Sequence, residues 1–351
     1  MRTMKLFGWC SFPTWQTDVE PILGQHSYKQ DDFFPATAEE KESFIEMKQS
    51  LSYWQDAWRR LKKNEVAMIS MFIVIVIFLF AFIGPLFMEN DYATQVRGDE
   101  NLPMSWDHPF GTDNHGRDLM IRTMFGARVS LIVGIAASLI VLVIGSLYGA
   151  ISGFFGGKLD DVMMRFLELI YSVPDILVVL LLSTVLKDPL NDWFNTSTSP
   201  LVKSFSTLGP SLISIFIAFG LLYWVGMARI IRGQVLMLKQ QEFVTAARAL
   251  GASNARLIRR HLLPNCIGQI IVTTSLQIPS AIFLESFLSF LGLGVSAPMT
   301  SLGSMASDAL GGMYSYPHRL LIPSFILSVM ILTLNLFGDG LRDALDPRLK
   351  K

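Results

Sequence analysis

Six runs of about 20 mostly apolar residues constrain this chain more than any other feature. They lie at 66–88, 129–155, 164–186, 209–231, 265–291 and 320–337. A helix rises 1.5 Å per residue and must cross ~30 Å of hydrocarbon, so runs of this length can span a bilayer. Lipid offers no partner to backbone N–H and C=O groups, which leaves the helix as the conformation that satisfies them within one run. The chain therefore reads as an all-α, polytopic membrane protein with about six transmembrane helices. A composition of 51% hydrophobic and 17% charged residues excludes an ordinary soluble domain of 351 residues. The formal net charge is zero, so no overall basic bias points to nucleic acid.

The distribution of charge orients the spans. With an even number of crossings both termini fall on one side, and that side carries 22 of the 29 Lys and Arg residues when Arg165 and Arg229 at the inner ends of their spans are counted with it, leaving seven outside. Positive residues collect on the cytoplasmic side, so both termini are expected there. Arg59, Arg60, Lys62 and Lys63 precede the first span, and Arg348, Lys350 and Lys351 follow the last. Such clusters sit against anionic inner-leaflet lipid.

This topology divides the chain into a cytoplasmic extension at 1–65, a first span at 66–88, an extracytoplasmic loop at 89–128 and a core of five spans at 129–351. Within the extension, Phe44, Met47, Leu51, Trp54, Trp58 and Leu61 recur at alternating three and four spacing, which predicts an amphipathic helix near 44–61. Its apolar stripe suits either the membrane surface or the protein's own cytoplasmic side. Residues 1–40 show no sustained period, and the short apolar stretch after Arg2 and Lys5 breaks too soon for a cleaved signal peptide. Cys10 and Cys266 have no neighbouring cysteine at ligand spacing, and neither a disulfide nor a metal site is expected.

The cytoplasmic loop at 240–264 reads as two short helices. Phe243, Ala246, Ala247 and Leu250 share a face of the first, Gly251 is placed to stop it in a left-handed conformation, and Ser253 can cap the second. The second helix carries Arg256, Arg259 and Arg260, and Pro264 suits the start of the fifth span. The small Ala246 and Ala247 permit close approach, and a knob of this character suits force transfer from a soluble motor. An amphipathic loop packed on its own subunit is the plainer reading.

Ala246, Ala247, Gly251, Leu263 and Pro264 fall at the spacing of the EAA loop, so this stretch resembles the coupling element of ABC importer permeases of the type I kind. Thr245 stands where the family usually opens with an acidic residue, with Glu242 three residues earlier. Further stretches are similar to permease subunits of the OppC and DppC type. They are His108-Pro-Phe-Gly-Thr-Asp-Asn-His-Gly-Arg-Asp118, Phe125-Gly-Ala-Arg128, Glu285-Ser-Phe-Leu-Ser-Phe-Leu-Gly-Leu-Gly294, Ser301-Leu-Gly-Ser-Met305 and Gly338-Asp-Gly-Leu-Arg-Asp-Ala-Leu-Asp-Pro-Arg348. The similarity runs from about Leu51 to the last residue. It implies a permease of a bacterial cell membrane that takes oligopeptides through a shared path. It also implies a second homologous permease subunit, two cytoplasmic ATPases that hold ATP and magnesium, and an extracytoplasmic peptide-binding protein. Glu242, Ala246, Ala247, Gly251, Leu263 and Pro264 would then form the ATPase-coupling loop. Dipeptide and nickel permeases share the same signature.

A charge at mid-bilayer costs roughly 2.5–3.5 kcal/mol on insertion scales, so those present face a bundle interior or a water-filled path. Asp175, Glu285 and Glu168 are the candidates for lining such a path, with helix packing the alternative role for Glu285. Pro174, Pro279 and Pro323 each remove a backbone donor and favour bent helices. His108, Asp113, His115 and Asp118 lack a recurring ligand spacing, and no metal is expected there. No Gly-x-x-x-x-Gly-Lys-Ser/Thr cradle occurs, the nearest fragment being Gly156-Gly-Lys158 followed by Leu159, and no nucleophile elbow occurs either. The chain is therefore expected to be no enzyme and to bind no cofactor itself. The rival class is a proton-coupled carrier using Asp175 and Glu285, which predicts an inverted repeat not visible in the sequence.

Overall fold

A computed structural model describes residues 52–345 apart from 198, 207, 208, 296 and 298. Cys10 and the stripe positions Phe44, Met47 and Leu51 lie outside the described residues. The described residues are helical, with one isolated bridge between Thr112 and Asp118. Helix α1 is Tyr53–Lys63, α2 is Glu65–Phe82 and α3 is Leu119–Phe155. Next come α4 at Gly157–Tyr171, α5 at Asp175–Val185, α6 at Lys187–Thr196 and α7 at Pro200–Ser206. Helix α8 at Pro210–Ala218 passes through a π-turn at Phe219–Tyr223 into α9 at Trp224–Leu238. The remaining helices are α10 at Glu242–Ala249, α11 at Asn254–Arg256, α12 at Leu263–Asn265, α13 at Ile267–Phe290, α14 at Leu302–Ala309 and α15 at His318–Leu345.

Five of these segments are long and apolar enough to cross a membrane: α2, α3, Pro210–Leu238, α13 and α15. The expected third span is not one straight helix. Its two parts, α4 and Asp175–Thr196, meet at an angle of 75°, and a sixth crossing exists where the bent pair counts as one. The break falls where the sequence dictates it. Pro174 has no N–H to donate and its ring disfavours helical backbone at Val173, so α4 stops at Tyr171 and α5 restarts at Asp175. By contrast, Pro279 and Pro323 sit inside continuous helices.

Local caps set the other boundaries. Asp118 accepts from the N–H groups of Met120 and Ile121 at 2.7 and 3.1 Å, so α3 begins ten residues earlier than apolarity alone indicates. Gly156, at φ +66°, closes the same helix. Asn64 ends α1 and caps α2 by accepting from Ala67 N–H at 3.1 Å. Helix α2 gives way at Ile83 to a 3₁₀ turn, Gly84–Phe87, containing Pro85, so this span ends short of residue 88.

The most extensive helix contact joins α3 to α9. Gly145, Gly149 and Gly153 recur every four residues and present a bare backbone strip on α3. A Cβ on Gly149 would lie 2.3 Å from the Ala228 carbonyl oxygen, and one on Gly145 would lie 2.6 Å from Met227 Cβ. Trp224, Val225, Met227, Ala228, Ile231 and Val235 of α9 are buried in this core. At the end of the seam, Arg232 holds Asp160 with two bonds, Nε to Oδ1 at 2.6 Å and Nη2 to Oδ2 at 2.5 Å, and Ser152 also donates to Asp160. Helices α13, α15 and α2 pack on the other flank of α3, where Leu131, Ile282, Leu302 and Met330 are buried.

Helix α1 packs against α13 and the final turns of α15. It buries Ala57 and Leu61, and Tyr53 donates its hydroxyl to the Leu345 carbonyl at 3.2 Å. Gly268 admits that ring, because a Cβ there would sit 2.6 Å from the tyrosine oxygen. Of the expected apolar stripe, Leu61 packs on the protein while Trp54 and Trp58 remain about half exposed.

Candidate functional site: a loop knob, a helix break and a serine cage

The 240–264 loop forms a compact knob. Helix α10 ends in a paired motif in which Ala252 N–H donates to the Ala247 carbonyl at 3.1 Å and Gly251 N–H donates to the Arg248 carbonyl at 3.0 Å. Gly251 adopts φ +82°, a left-handed conformation that glycine reaches without strain. Ser253 accepts from Arg256 N–H and starts α11, which continues through a π-turn at Leu257–Leu262. Val244, Leu257, Ile258 and Leu262 are buried against the main core, and Ala247 and Leu263 pack beside them. Glu242, Phe243, Ala246, Leu250 and Pro264 face outward. Leu250 is 89% exposed. The expected single face of Phe243, Ala246, Ala247 and Leu250 is thus divided. Val244 and Ala247 anchor the helix, and Phe243, Ala246 and Leu250 form an apolar face that is exposed among the described residues. The Val244–Ala247 pair, three apart, is the sequence signal for the anchor.

The three carboxylates expected along a path occupy different environments. Asp175 is exposed at the break between α4 and α5 and accepts from the Tyr223 hydroxyl at 2.9 Å. Glu168 is also exposed and is met by Arg165 Nη1 at 3.3 Å on its own helix. Glu285 is 0% exposed. Ser289 donates to its Oε1 at 2.7 Å, while Ser130 and Ser286 donate to Oε2 at 2.9 and 3.2 Å. In this conformation Glu285 lines no open path. It sits in a cage of hydroxyls that joins α3 to α13, and Ser289 in turn accepts from Val295 N–H at 3.0 Å to fold the following segment back. The close approach of Gly303 to the Ser286 carbonyl, 2.1 Å from where a Cβ would stand, seals the cage with α14.

At the end of α3 away from the 240–264 knob, the four residues considered for a metal have other partners. His108 Nδ1 is 2.8 Å from Asp118 Oδ2, and Asp118 is already the cap of α3. Asp113 accepts from Arg117 Nε at 2.6 Å, from Arg122 Nη1 at 2.5 Å and from the backbone N–H groups of His115 and Arg117. Burial pushes the Asp113 carboxyl upward, but the backbone donors and the two guanidinium charges outweigh it and hold the group below its usual range. Arg122 also reaches Asp308 at 3.3 Å, which ties this loop to α14.

Known proteins share this arrangement of sequence. Residues 142–351 match the family described as the binding-protein-dependent transport system inner membrane component. Residues 52–103 match the N-terminal TM domain of oligopeptide transport permease C. The dipeptide transport system permease protein DppC of Bacillus subtilis is 45% identical over 338 residues, 96% of this chain and 98% of the relative. The chain belongs to the OppC and DppC type of transport permease. The oligopeptide transport system permease protein OppC of the same organism is 44% identical, over 91% of this permease and 97% of the relative. An inward-facing structure of the MetNI methionine ABC transporter is similar at 17% identity and a TM-score of 0.46, covering 65% of this permease and 98% of that chain.

The likeness to DppC corrects the expected boundary at Leu51, because 96% coverage carries it well into the first fifty residues of this permease. Sequence reasoning also missed the glycine strip of α3 and the Asp160–Arg232 pair. The four-residue spacing of Gly145, Gly149 and Gly153 is the signal that could have found the strip. Asp160 and Arg232 lie 72 residues apart, and no local pattern joins them.

Proposed function

We propose that this chain is one of two membrane-spanning subunits of an ATP-driven importer of oligopeptides and that α10 to α12 are where an ATPase docks. The observation that carries the reading is the knob at 240–264. It is anchored rigidly by Val244, Leu257 and Leu262 while Phe243, Ala246 and Leu250 stand exposed. An apolar face on a rigid, membrane-anchored element suits a groove in a soluble partner and can transmit its movement to α9 and α13. In this reading both termini are cytoplasmic, the membrane is that of a bacterial cell, and ATP and magnesium are held by two ATPase partners. A second permease subunit completes the path, and an extracytoplasmic binding protein delivers the peptide. The 45% and 44% identities to dipeptide and oligopeptide permeases support peptide as the cargo, with a dipeptide the second reading.

The test is gentle extraction of the tagged chain, identification of co-purifying polypeptides and assay of ATP hydrolysis and peptide uptake. Recovery with a second permease and active ATPases supports the importer. Recovery alone and inactive under several mild detergents overturns it. Gly251→Val places a β-branched residue at φ +82°, at a strain of about 1–2 kcal/mol. The expected outcome is an assembled complex that hydrolyses ATP but takes up little peptide, whereas normal uptake removes Gly251 from the coupling turn.

A further inference from the structure

Two irregularities face each other across neighbouring helices. The chain breaks by 75° between α4 and α5, and the neighbouring span Pro210–Leu238 carries its π-turn at Phe219–Tyr223. Tyr223 lies near the middle of that 29-residue span, about 20 Å from either end at 1.5 Å per residue. Two contacts bracket the break. On one side Arg229 stacks its guanidinium 4.7 Å from the Tyr171 ring centroid, and on the other Tyr223 donates to Asp175 at 2.9 Å. Asp175, Tyr171 and Arg229 are exposed on this chain, and among the described residues neither charge is in an ion pair.

An unpaired carboxylate at mid-membrane depth, with an unpaired guanidinium about 9 Å nearer the inner end of the span, cannot face hydrocarbon without heavy cost, which favours a wet path along this surface. Broken helices at that depth are tolerated where they line such a path, and π-turns gather at functional positions. The charges are opposite in sign, and the two residues of this span that mark the sides of the break, Tyr223 and Arg229, are six residues apart, roughly 9 Å of rise. A peptide of two or three residues carries an ammonium and a carboxylate roughly 7–11 Å apart when extended. We propose that Asp175 receives the protonated amino terminus of a short peptide in transit and Arg229 its carboxylate, with Tyr223 and Tyr171 holding the two charged groups in place. The proposal rests on the importer reading and adds to it the chemistry by which the path engages its cargo.

The experiment uses the complete importer in proteoliposomes with saturating peptide-loaded binding protein. Uptake of a free tripeptide, its N-acetylated form and its C-amidated form is compared between variant and wild type on the same peptide, so that the binding protein's own preference cancels. Asp175→Asn is expected to lower uptake of the free tripeptide about tenfold and of the N-acetylated form by less than about twofold, since that form brings no ammonium. Arg229→Gln is expected to show the same pattern with the C-amidated form, and Arg229→Lys to restore most uptake of the free tripeptide. Equal losses on free and blocked peptides, loss of subunit assembly, or unchanged uptake would each overturn the proposal while leaving the importer intact. Absence of ATP-driven uptake by the wild-type assembly would instead defeat the importer reading on which it rests.

Discussion

The α3–α9 seam and the α4–α5 break lie side by side and are both written in apolar sequence that reads as spans, the second with a bend favoured by Pro174. Along the seam the charged groups are paired: Asp160 takes two bonds from Arg232 and one from Ser152, and glycine lets the two backbones touch. At the break the helix is interrupted, Asp175 and Arg229 are exposed, and α5 leaves Leu177 and Leu181 uncovered. Close packing in lipid comes from small residues and satisfied polar groups, so the seam is what holds the bundle's shape. The break leaves Asp175 and Arg229 exposed and, among the described residues, outside any ion pair, so packing there is incomplete.

The strongest way to break this contrast is Gly149→Val. Its Cβ would meet the Ala228 carbonyl oxygen at 2.3 Å, backbone that cannot move aside, and overpacking of this kind costs about 1–3 kcal/mol. A large fall in the melting temperature of the purified permease is expected, while Gly226→Val, with nothing within 4 Å of its Cβ, should leave that temperature nearly unchanged. Equal melting of the two variants would mean that the seam does not hold the bundle.

Next in size is Asp160→Asn, which leaves Arg232 without its carboxylate. The expected destabilisation is about 1–3 kcal/mol, with part recovered when Arg232→Gln is added, because the second change removes the stranded charge. Chemical denaturation of the single and double variants measures the coupling, and strict additivity would mean that the pair contributes nothing as a unit.

Pro174→Ala sharpens the other half of the comparison. It restores a backbone donor and relieves Val173, so the 75° bend should open. The stability change is expected to stay below about 1 kcal/mol, yet spin labels at positions 166 and 181 should move apart. An unchanged distance would assign the bend to the packing of α5 on α8 rather than to the proline.

The smallest effect concerns acid. Asp113 titrates below its unfolded value of about 3.9, so its contribution is present above that pH and is lost as pH falls through the lower folded value. Melting temperature should drop as pH falls below about 4, and Asp113→Asn should flatten that part of the profile.

Chemistry that acts over a few residues is legible in the sequence. Gly251 announces a left-handed turn and Ser253 a cap because each acts within four residues of itself, and the apolar runs announce membrane helices because their length answers to the bilayer. Identical residue types in different surroundings are not legible in this way. Pro174, Pro279 and Pro323 offer one signal, yet Pro174 alone parts a helix, and the neighbours that let the other two continue come from elsewhere in the chain. Asp175 and Glu285 read alike as charges within spans. The first stands exposed beside Tyr223, and the second lies in a cage drawn from α3 and α13.

The sequence by itself determined the number of apolar runs, their expected sidedness through Lys and Arg, and the turn chemistry of the knob at 240–264, since these depend on residue type and short spacing. Tertiary structure alone decided which face of α10 is anchored, which carboxylate is sealed and which is open, and that Asp160 meets Arg232 across 72 residues. Burial and pairing are properties of what arrives from distant parts of the chain, and no local pattern carries them.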